Sequence, residues 1–136
     1  MKRVTGIGGI FFKAKDQAAT LAWYRQHLGI ESEDWGGFGF TWRDRADPEQ
    51  VGYTVWSPFK GDTAYFDPGT QPFMVNYRVA DLPALLAALR EEGVQIVGEM
   101  VEEENGRFAW VLDPDGGKIE LWEPVPSDQD PYLPPA

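Results

Sequence analysis

Residues 113–124 read DPDGGKIELWEP and join a tight turn to a short strand. Proline and glycine stand in residues 113–117 where turn chemistry favours them. The segment that follows, residues 118–123, has the composition of a strand, and residues 108–112 form a similar segment before the turn. This stretch therefore predicts two neighbouring strands joined by a tight turn.

A strand followed by a helix is predicted at two places further back in the chain. In the first, residues 7–13 alternate as in a strand, Asp16 stands at the N-cap of a helix, and Gly29 ends it. In the second, residues 74–79 form the strand and Asp81 is the N-cap, with a proline early in the first turn.

These two places are related by a repeat. A shift of 65 residues lays IFFKAKD, residues 10–16, on VNYRVAD, residues 75–81. The repeat is one of pattern, because few residues are identical, and it predicts two structural modules. Further strands are predicted at residues 37–42, 52–57, 95–101, 108–112 and 118–123, and one more near residues 33–36.

The repeat and the turn together resemble the glyoxalase/bleomycin resistance protein/dioxygenase, or vicinal oxygen chelate, superfamily. The DPDG turn that leads into IEL is similar to the C-terminal signature of that family. The segment from Lys15 and Asp16 through Trp23 and Tyr24 to Gly29 is similar to its first helix. The resemblance spans about residues 7–124 and implies an α+β fold. Two tandem βαβββ modules would form a curved, cup-shaped mixed sheet with the helices outside.

The expected domain covers residues 1–124, with modules at about residues 5–58 and 72–124. A polar loop lies at residues 44–50, and a connector rich in proline and glycine at residues 59–71 separates the modules. Residues 125–136 form a proline-rich tail, which we expect to be extended or disordered.

The resemblance also implies where a metal would be bound. In metal-dependent members, each module supplies one ligand from its first strand and one from its last. Those positions fall on Gly9 and Met74 in the first strands, and on Thr54 and Glu120 in the last strands. Glycine has no side chain, methionine is a soft ligand, and neutral threonine is a weak one, so only Glu120 suits a hard divalent ion. The sequence therefore predicts neither a metal site nor a cofactor.

Strand alternation assigns side chains to the two faces of the sheet. Ile10, Phe12 and Tyr77 are predicted to pack on the helices. The residues predicted to face the cup are Phe11, Lys13, Thr54, Trp56, Met74, Asn76, Arg78, Phe108, Trp110, Glu120 and Trp122. Many aromatic groups with a few polar ones are typical of a small-molecule pocket, although the same aromatics would also suit a core or a dimer interface.

The charged residues of the predicted cup have two interpretations each. Lys13 and Arg78 are equivalent under the repeat and would clamp a ligand anion, or else be solvated or paired with acids at strand ends. Glu120 would act as a general base if it lies dry among tryptophans. Alternatively, it is hydrogen-bonded to Asn76, Thr54 or a cation and has no catalytic role.

Composition narrows the class of protein. The chain of 136 residues has no cysteine, which excludes disulfides, thiolate zinc sites and cysteine nucleophiles. Its formal net charge of −10 disfavours nucleic acids and anionic membranes as partners. Neither a signal-peptide pattern nor an apolar run of membrane-spanning length is found, so we expect a cytoplasmic protein.

Three functions agree with these observations. The first is a metal-independent protein that binds an apolar or aromatic small molecule, with a preference for anionic ones. The second is a superfamily enzyme, such as a lyase, an isomerase or a dioxygenase, that uses Glu120 as a base or an atypical metal site. The third is an interaction module with a filled cup. In each case we expect a homodimer, because sheet edges and surplus aromatics seek cover.

Overall fold

The structure is a computed structural model that describes residues 3–134. Its strands and helices, in chain order, are β1 (Val4–Ala14), α1 (Gln17–Leu28), β2 (Phe38–Arg43), β3 (Val51–Lys60), β4 (Phe73–Val79), α2 (Leu82–Glu91), β5 (Ile96–Glu103), β6 (Gly106–Leu112) and β7 (Lys118–Pro124). The predicted α+β fold is confirmed. Within the described residues, no helix is long and apolar enough to cross a membrane.

Both helices begin at the aspartates predicted to cap them. The Asp16 side chain accepts a hydrogen bond from the backbone N–H of Ala19, and Asp81 accepts one from Ala84. Each bond satisfies a donor that the first helical turn would otherwise leave without a partner. Gly29 ends α1 in the left-handed conformation with φ 68°, where glycine has no Cβ to clash.

The seven strands form one sheet in the order β2-β3-β1-β4-β7-β6-β5. The two modules meet at its centre, where β1 and β4 pair antiparallel. Each first strand also pairs in parallel with the last strand of its own module, β1 with β3 and β4 with β7. The sheet thus has the two-module arrangement that the repeat predicts, with open edges at β2 and β5.

The first module has one strand fewer than predicted. Residues 33–36 form a turn in which the N–H of Gly36 donates to the carbonyl of Glu33 at 2.9 Å. Gly36 has φ +96°, which an extended strand does not adopt. The first module is therefore βαββ, whereas the second is a full βαβββ unit.

The two helices are anchored unequally on the convex face of the sheet. Leu82, Leu85 and Leu86 of α2 are buried in a cluster with side chains from β4, β6 and β7. Helix α1 has no buried residue, and Leu28 at its end is 59% exposed. Its main aromatic contact is Tyr24, which packs on Phe12 and Trp56.

The described part of the tail is folded against the rest of the chain. Ser127–Gln129 forms one turn of 3-10 helix. The Tyr53 hydroxyl on β3 donates a hydrogen bond of 2.9 Å to Asp130, and Pro134 lies over Gly39 on β2. These contacts hold the described part of this segment against β2 and β3.

Candidate functional site

A buried carboxylate lies at the centre of the concave face. Glu120 on β7 is 3% exposed and is paired in register with Asn76 on β4. Its Oε1 accepts a hydrogen bond from Asn76 Nδ2 at 2.6 Å, and its Oε2 accepts from Trp110 Nε1 at 2.9 Å and from the Tyr65 hydroxyl. Burying a carboxylate is costly unless several donors face it, so these three neighbours allow it to stay inside.

Tyr65 and Phe66 reach this centre from the connector between the modules. Phe66 is 1% exposed and packs in a cluster with Phe11 and Met74. Tyr65 stacks on Phe59 with 5.6 Å between ring centroids, and its hydroxyl faces Glu120. The chain's own side chains thus fill the middle of the cup. Neither residue was predicted from the sequence, because a loop has no periodicity to reveal which way its side chains point.

The surroundings of Glu120 change the pKa values of its neighbours. Although Tyr65 as a whole is 39% exposed, burial and then the charge of Glu120 raise the pKa of its hydroxyl well above the usual range. Burial lowers the pKa of Lys118, whose Nζ lies 5.2 Å from the centre of the Tyr65 ring and 5.5 Å from that of Trp110. Tyr65 is therefore held in its protonated form, as a hydrogen-bond donor to the carboxylate.

Asn76 also faces a glycine on β1. Its Oδ1 is buried without a hydrogen-bond partner among the described residues. A Cβ added to Gly8 would lie 2.1 Å from this oxygen and 2.9 Å from the Trp122 ring. Gly8 is thus required here because the two side chains occupy the space that a larger residue would need.

The two predicted cations both contact aromatic rings. The Arg78 guanidinium lies between Trp42 and Trp122, at 5.0 and 4.6 Å from their ring centres, and burial lowers its pKa. Lys13 Nζ lies 5.8 Å from the centre of the Phe66 ring. The two cations contact different rings. The anion clamp that they were predicted to form stays a prediction.

Two predicted cup residues lie on the opposite face of the sheet. Trp56 pairs with Ile10 and packs on Phe12 and Tyr24, so it belongs to the helix side. Thr54 shares that face by alternation; its hydroxyl donates to the carbonyl of Ile7 and accepts from Trp42 Nε1. The prediction was wrong by one residue in β3.

The residues of β3 that do face the cup are Tyr53, Val55, Ser57 and Phe59. The other predicted cup residues lie on the same face of the sheet as Glu120. Phe11 and Met74 pack together under Phe66, whereas Asn76 and Trp110 surround Glu120. Phe108 stacks on Trp122 with 5.7 Å between ring centroids and 8° between planes.

Two clefts remain open beside the filled centre. The tail cleft, of about 530 Å³, lies between β3 and the C-terminal segment, and its walls include Trp35, Tyr53, Val55, Tyr132 and Pro134. The hairpin cleft, of about 400 Å³, lies along β5 and β6, and its walls include Tyr65, Val101, Phe108, Trp110 and Tyr132. Both volumes suit a small organic molecule. The wall of the hairpin cleft is mainly aromatic, whereas that of the tail cleft combines aromatic, proline and aliphatic side chains.

The family model of the Glyoxalase/Bleomycin resistance protein/Dioxygenase superfamily matches residues 6–121. The chain belongs to this superfamily. Among curated proteins, none matches its sequence significantly.

Solved structures with the same fold include several superfamily members. The methylmalonyl-CoA epimerase of Mycobacterium tuberculosis is 25% identical, with 90% of each chain covered and a TM-score of 0.56. A Streptomyces coelicolor methylmalonyl-CoA epimerase variant in complex with 2-nitronate-propionyl-CoA is 21% identical over 90% of this chain and 99% of that one, with a TM-score of 0.60. A superfamily member from Vibrio splendidus 12B01 is 12% identical over 88% and 97% of the two chains, with a TM-score of 0.53.

Strand pairing corrects one of the four superfamily ligand positions. The repeat relates Phe11 to Asn76. Asn76 pairs with Glu120 on β7, whereas Phe11 pairs with Ser57 on β3. The counterpart of Glu120 in the first module is therefore Ser57 and not Thr54.

The residues at these four positions do not fit a divalent metal. A Cβ at Gly9 would lie 2.6 Å from the Phe11 ring, so this ring occupies the place of a ligand side chain. Met74 is fully buried in an apolar cluster, and Ser57 offers a neutral hydroxyl. Within residues 3–134, no group of three or more histidine, aspartate or glutamate side chains is arranged to hold a metal ion. Of the residues at these four positions, only Glu120 suits a hard divalent ion, and its side-chain oxygens already accept hydrogen bonds.

Proposed function

We propose that this superfamily member is a metal-independent small-molecule-binding protein that holds an aromatic or apolar ligand in the tail cleft or the hairpin cleft. The observation that carries the proposal is the residue set at the four superfamily ligand positions: Gly9, Ser57 and Met74 stand beside Glu120. The two clefts next to this centre supply the aromatic and apolar surface that a ligand would bury.

The charge of the cleft walls bears on the choice of ligand. Apart from tyrosines, the ionisable residues that line the two clefts in the described chain are Glu33 and Glu103. Lys13 and Arg78 line neither cleft, so the preference for anions predicted from them has less support there. We therefore propose that neutral aromatic ligands bind more tightly than their carboxylate analogues.

Tryptophan fluorescence tests the proposal, since Trp35 and Trp110 line the clefts. The parent protein and its Trp35→Phe and Trp110→Phe variants are each titrated with benzoic acid, benzamide and their naphthalene analogues. Trp23→Phe is the matched control, because Trp23 lies on α1 and contacts Tyr24 and His27. Saturable quenching that weakens in a cleft variant but not in the control supports the proposal. If nothing binds more tightly than about 1 mM, the proposal is wrong.

An enzyme is the second candidate, and the 25% identity to a methylmalonyl-CoA epimerase favours it. Glu120 would then accept a substrate proton, and Tyr65, hydrogen-bonded to it, would have to move aside. Incubation with methylmalonyl-CoA in deuterated water, followed by mass spectrometry, tests this directly. Deuterium incorporation by the parent that is lost in Glu120→Gln would establish the enzyme. If the parent incorporates no deuterium, ligand binding remains the proposed function.

The filled centre favours a third candidate, an interaction module. Phe66 and Tyr65 occupy space that a ligand would use in an open cup. This candidate gains if the fluorescence titration shows no binding at either cleft and if the protein forms a stable complex with another chain.

A further inference from the structure

Tyr132 stands between the two clefts. It lines both of them, a property that it shares with Asn105 in the turn between β5 and β6. Its hydroxyl donates a hydrogen bond of 2.9 Å to Glu104 in the same turn. The residue thus joins the tail to the β5–β6 hairpin, and its ring forms a wall that belongs to both clefts.

The tail has further anchors on either side of this residue. The N–H of Val125 donates to the carbonyl of Asn105 at 3.2 Å, and Tyr53 holds Asp130. Beyond Tyr132, Pro134 occupies the space left by Gly39, where an added Cβ would lie 2.9 Å from the proline ring. The tail therefore runs from the hairpin, which it contacts at Val125, to β2, which it contacts at Pro134, and Tyr132 lies between these two contacts.

We infer that Tyr132 is a specificity-determining residue that limits the size of the ligand. The inference rests on the proposed function. With the ring in place, the tail cleft and the hairpin cleft are separate spaces of about 530 and 400 Å³, each suited to a ligand of one or two rings. Removing the ring joins them at their shared wall, so that a longer ligand can span both.

This role can be separated from a role in folding. Tyr132 is 57% exposed, so its truncation leaves no large cavity in the core. The tail keeps its contact through Asp130, which does not depend on the Tyr132 side chain. Loss of the ring should therefore change the shape of the site more than the stability of the chain.

Isothermal titration calorimetry with two neutral probes tests the inference. Benzamide represents a small ligand, and N-phenyl-1-naphthylamine represents a long one. We expect Tyr132→Ala to bind N-phenyl-1-naphthylamine about tenfold more tightly relative to benzamide than the parent does. Tyr132→Phe is the matched control, since it keeps the ring and loses only the bond to Glu104, and it should keep the parent's ratio.

Three outcomes would count against the inference that Tyr132 limits the size of the ligand. An unchanged ratio in Tyr132→Ala, with benzamide still bound, would overturn the inference and leave the proposed function standing. The same gain in Tyr132→Phe as in Tyr132→Ala would also overturn it, because the hydroxyl tether and not the ring would then set the limit. If neither probe binds to the parent or to either variant, the proposed function falls, and the inference falls with it.

Discussion

At the scale of single residues, the most consequential feature is a carboxylate held among neutral donors. Glu120 accepts hydrogen bonds from Asn76, Trp110 and Tyr65. The hydrogen bond to Asn76 was one of the interpretations predicted from the sequence, because alternation on neighbouring strands places both residues on the cup face. The bond to Tyr65 was not predictable, because Tyr65 comes from a loop whose path depends on the packing of Phe66.

Truncation of this carboxylate should destabilise the protein. Glu120→Ala leaves the buried donors of Asn76 and Trp110 without their acceptor, and each such loss costs about 1–3 kcal/mol. We expect the free energy of unfolding to fall by about 3 kcal/mol, and to fall less in Glu120→Gln, which keeps an acceptor oxygen. Urea unfolding, followed by circular dichroism, measures the free energy of unfolding of both variants and of the parent. A Glu120→Ala variant as stable as the parent would show that these bonds contribute little.

Tyr53 should make stability depend on alkaline pH. It is 5% exposed, and burial, followed by its hydrogen bond to Asp130, raises the pKa of its hydroxyl well above the usual range. Its contribution is fully present below the pKa of an unfolded tyrosine, about 10, and declines as pH rises toward the folded pKa, because the unfolded chain loses the proton first.

The free energy of unfolding should therefore fall more steeply above about pH 10 in the parent than in Tyr53→Phe. Urea unfolding at several values between about pH 9 and 11 measures the two slopes. Equal slopes would mean that Tyr53 titrates in the folded protein as it does in the unfolded chain.

At the scale of helices and strands, the helix ends were predicted correctly because the residues that cap them can be identified in the sequence. Asp16, Asp81 and Gly29 mark helix ends because their side chains or backbone angles satisfy groups at those ends. The faces of β3 were not predictable, since Tyr53 and Trp56 are both aromatic and lie on opposite sides. An alternation rule needs one polar face to fix the register, and this strand does not have one.

The unequal anchoring of the helices leads to a prediction of its own. Leu86 on α2 is 3% exposed, whereas Leu28 on α1 is 59% exposed. Leu86→Ala should lower the free energy of unfolding by about 2–5 kcal/mol, because it leaves a cavity in the core. Leu28→Ala should change it by no more than about 0.5 kcal/mol. Chemical denaturation of the two variants decides this, and a Leu28→Ala loss as large as that of Leu86→Ala would contradict it.

At the scale of the whole molecule, apolar surface is left without cover. Val4, Ile7 and Ile10 on β1 are 43%, 41% and 40% exposed, and Phe73 at the start of β4 is 48% exposed. We propose that a second copy of the chain covers part of this surface, which makes the protein a homodimer. Light scattering coupled to size-exclusion chromatography should give twice the monomer mass of 15.3 kDa. A monomer mass at all micromolar concentrations would contradict the proposal.

We propose above all that this superfamily member functions without a metal. The four ligand positions hold Gly9, Ser57, Met74 and Glu120, with the Phe11 ring in the place of one ligand and hydrogen bonds on the only carboxylate. Inductively coupled plasma mass spectrometry, after incubation with zinc, nickel, cobalt and manganese and then dialysis, measures the bound metal directly. We expect far less than one metal ion per chain. About one ion of any of these metals per chain, lost in Glu120→Gln, would show that the protein does bind a metal and that the proposal of a metal-independent function is wrong.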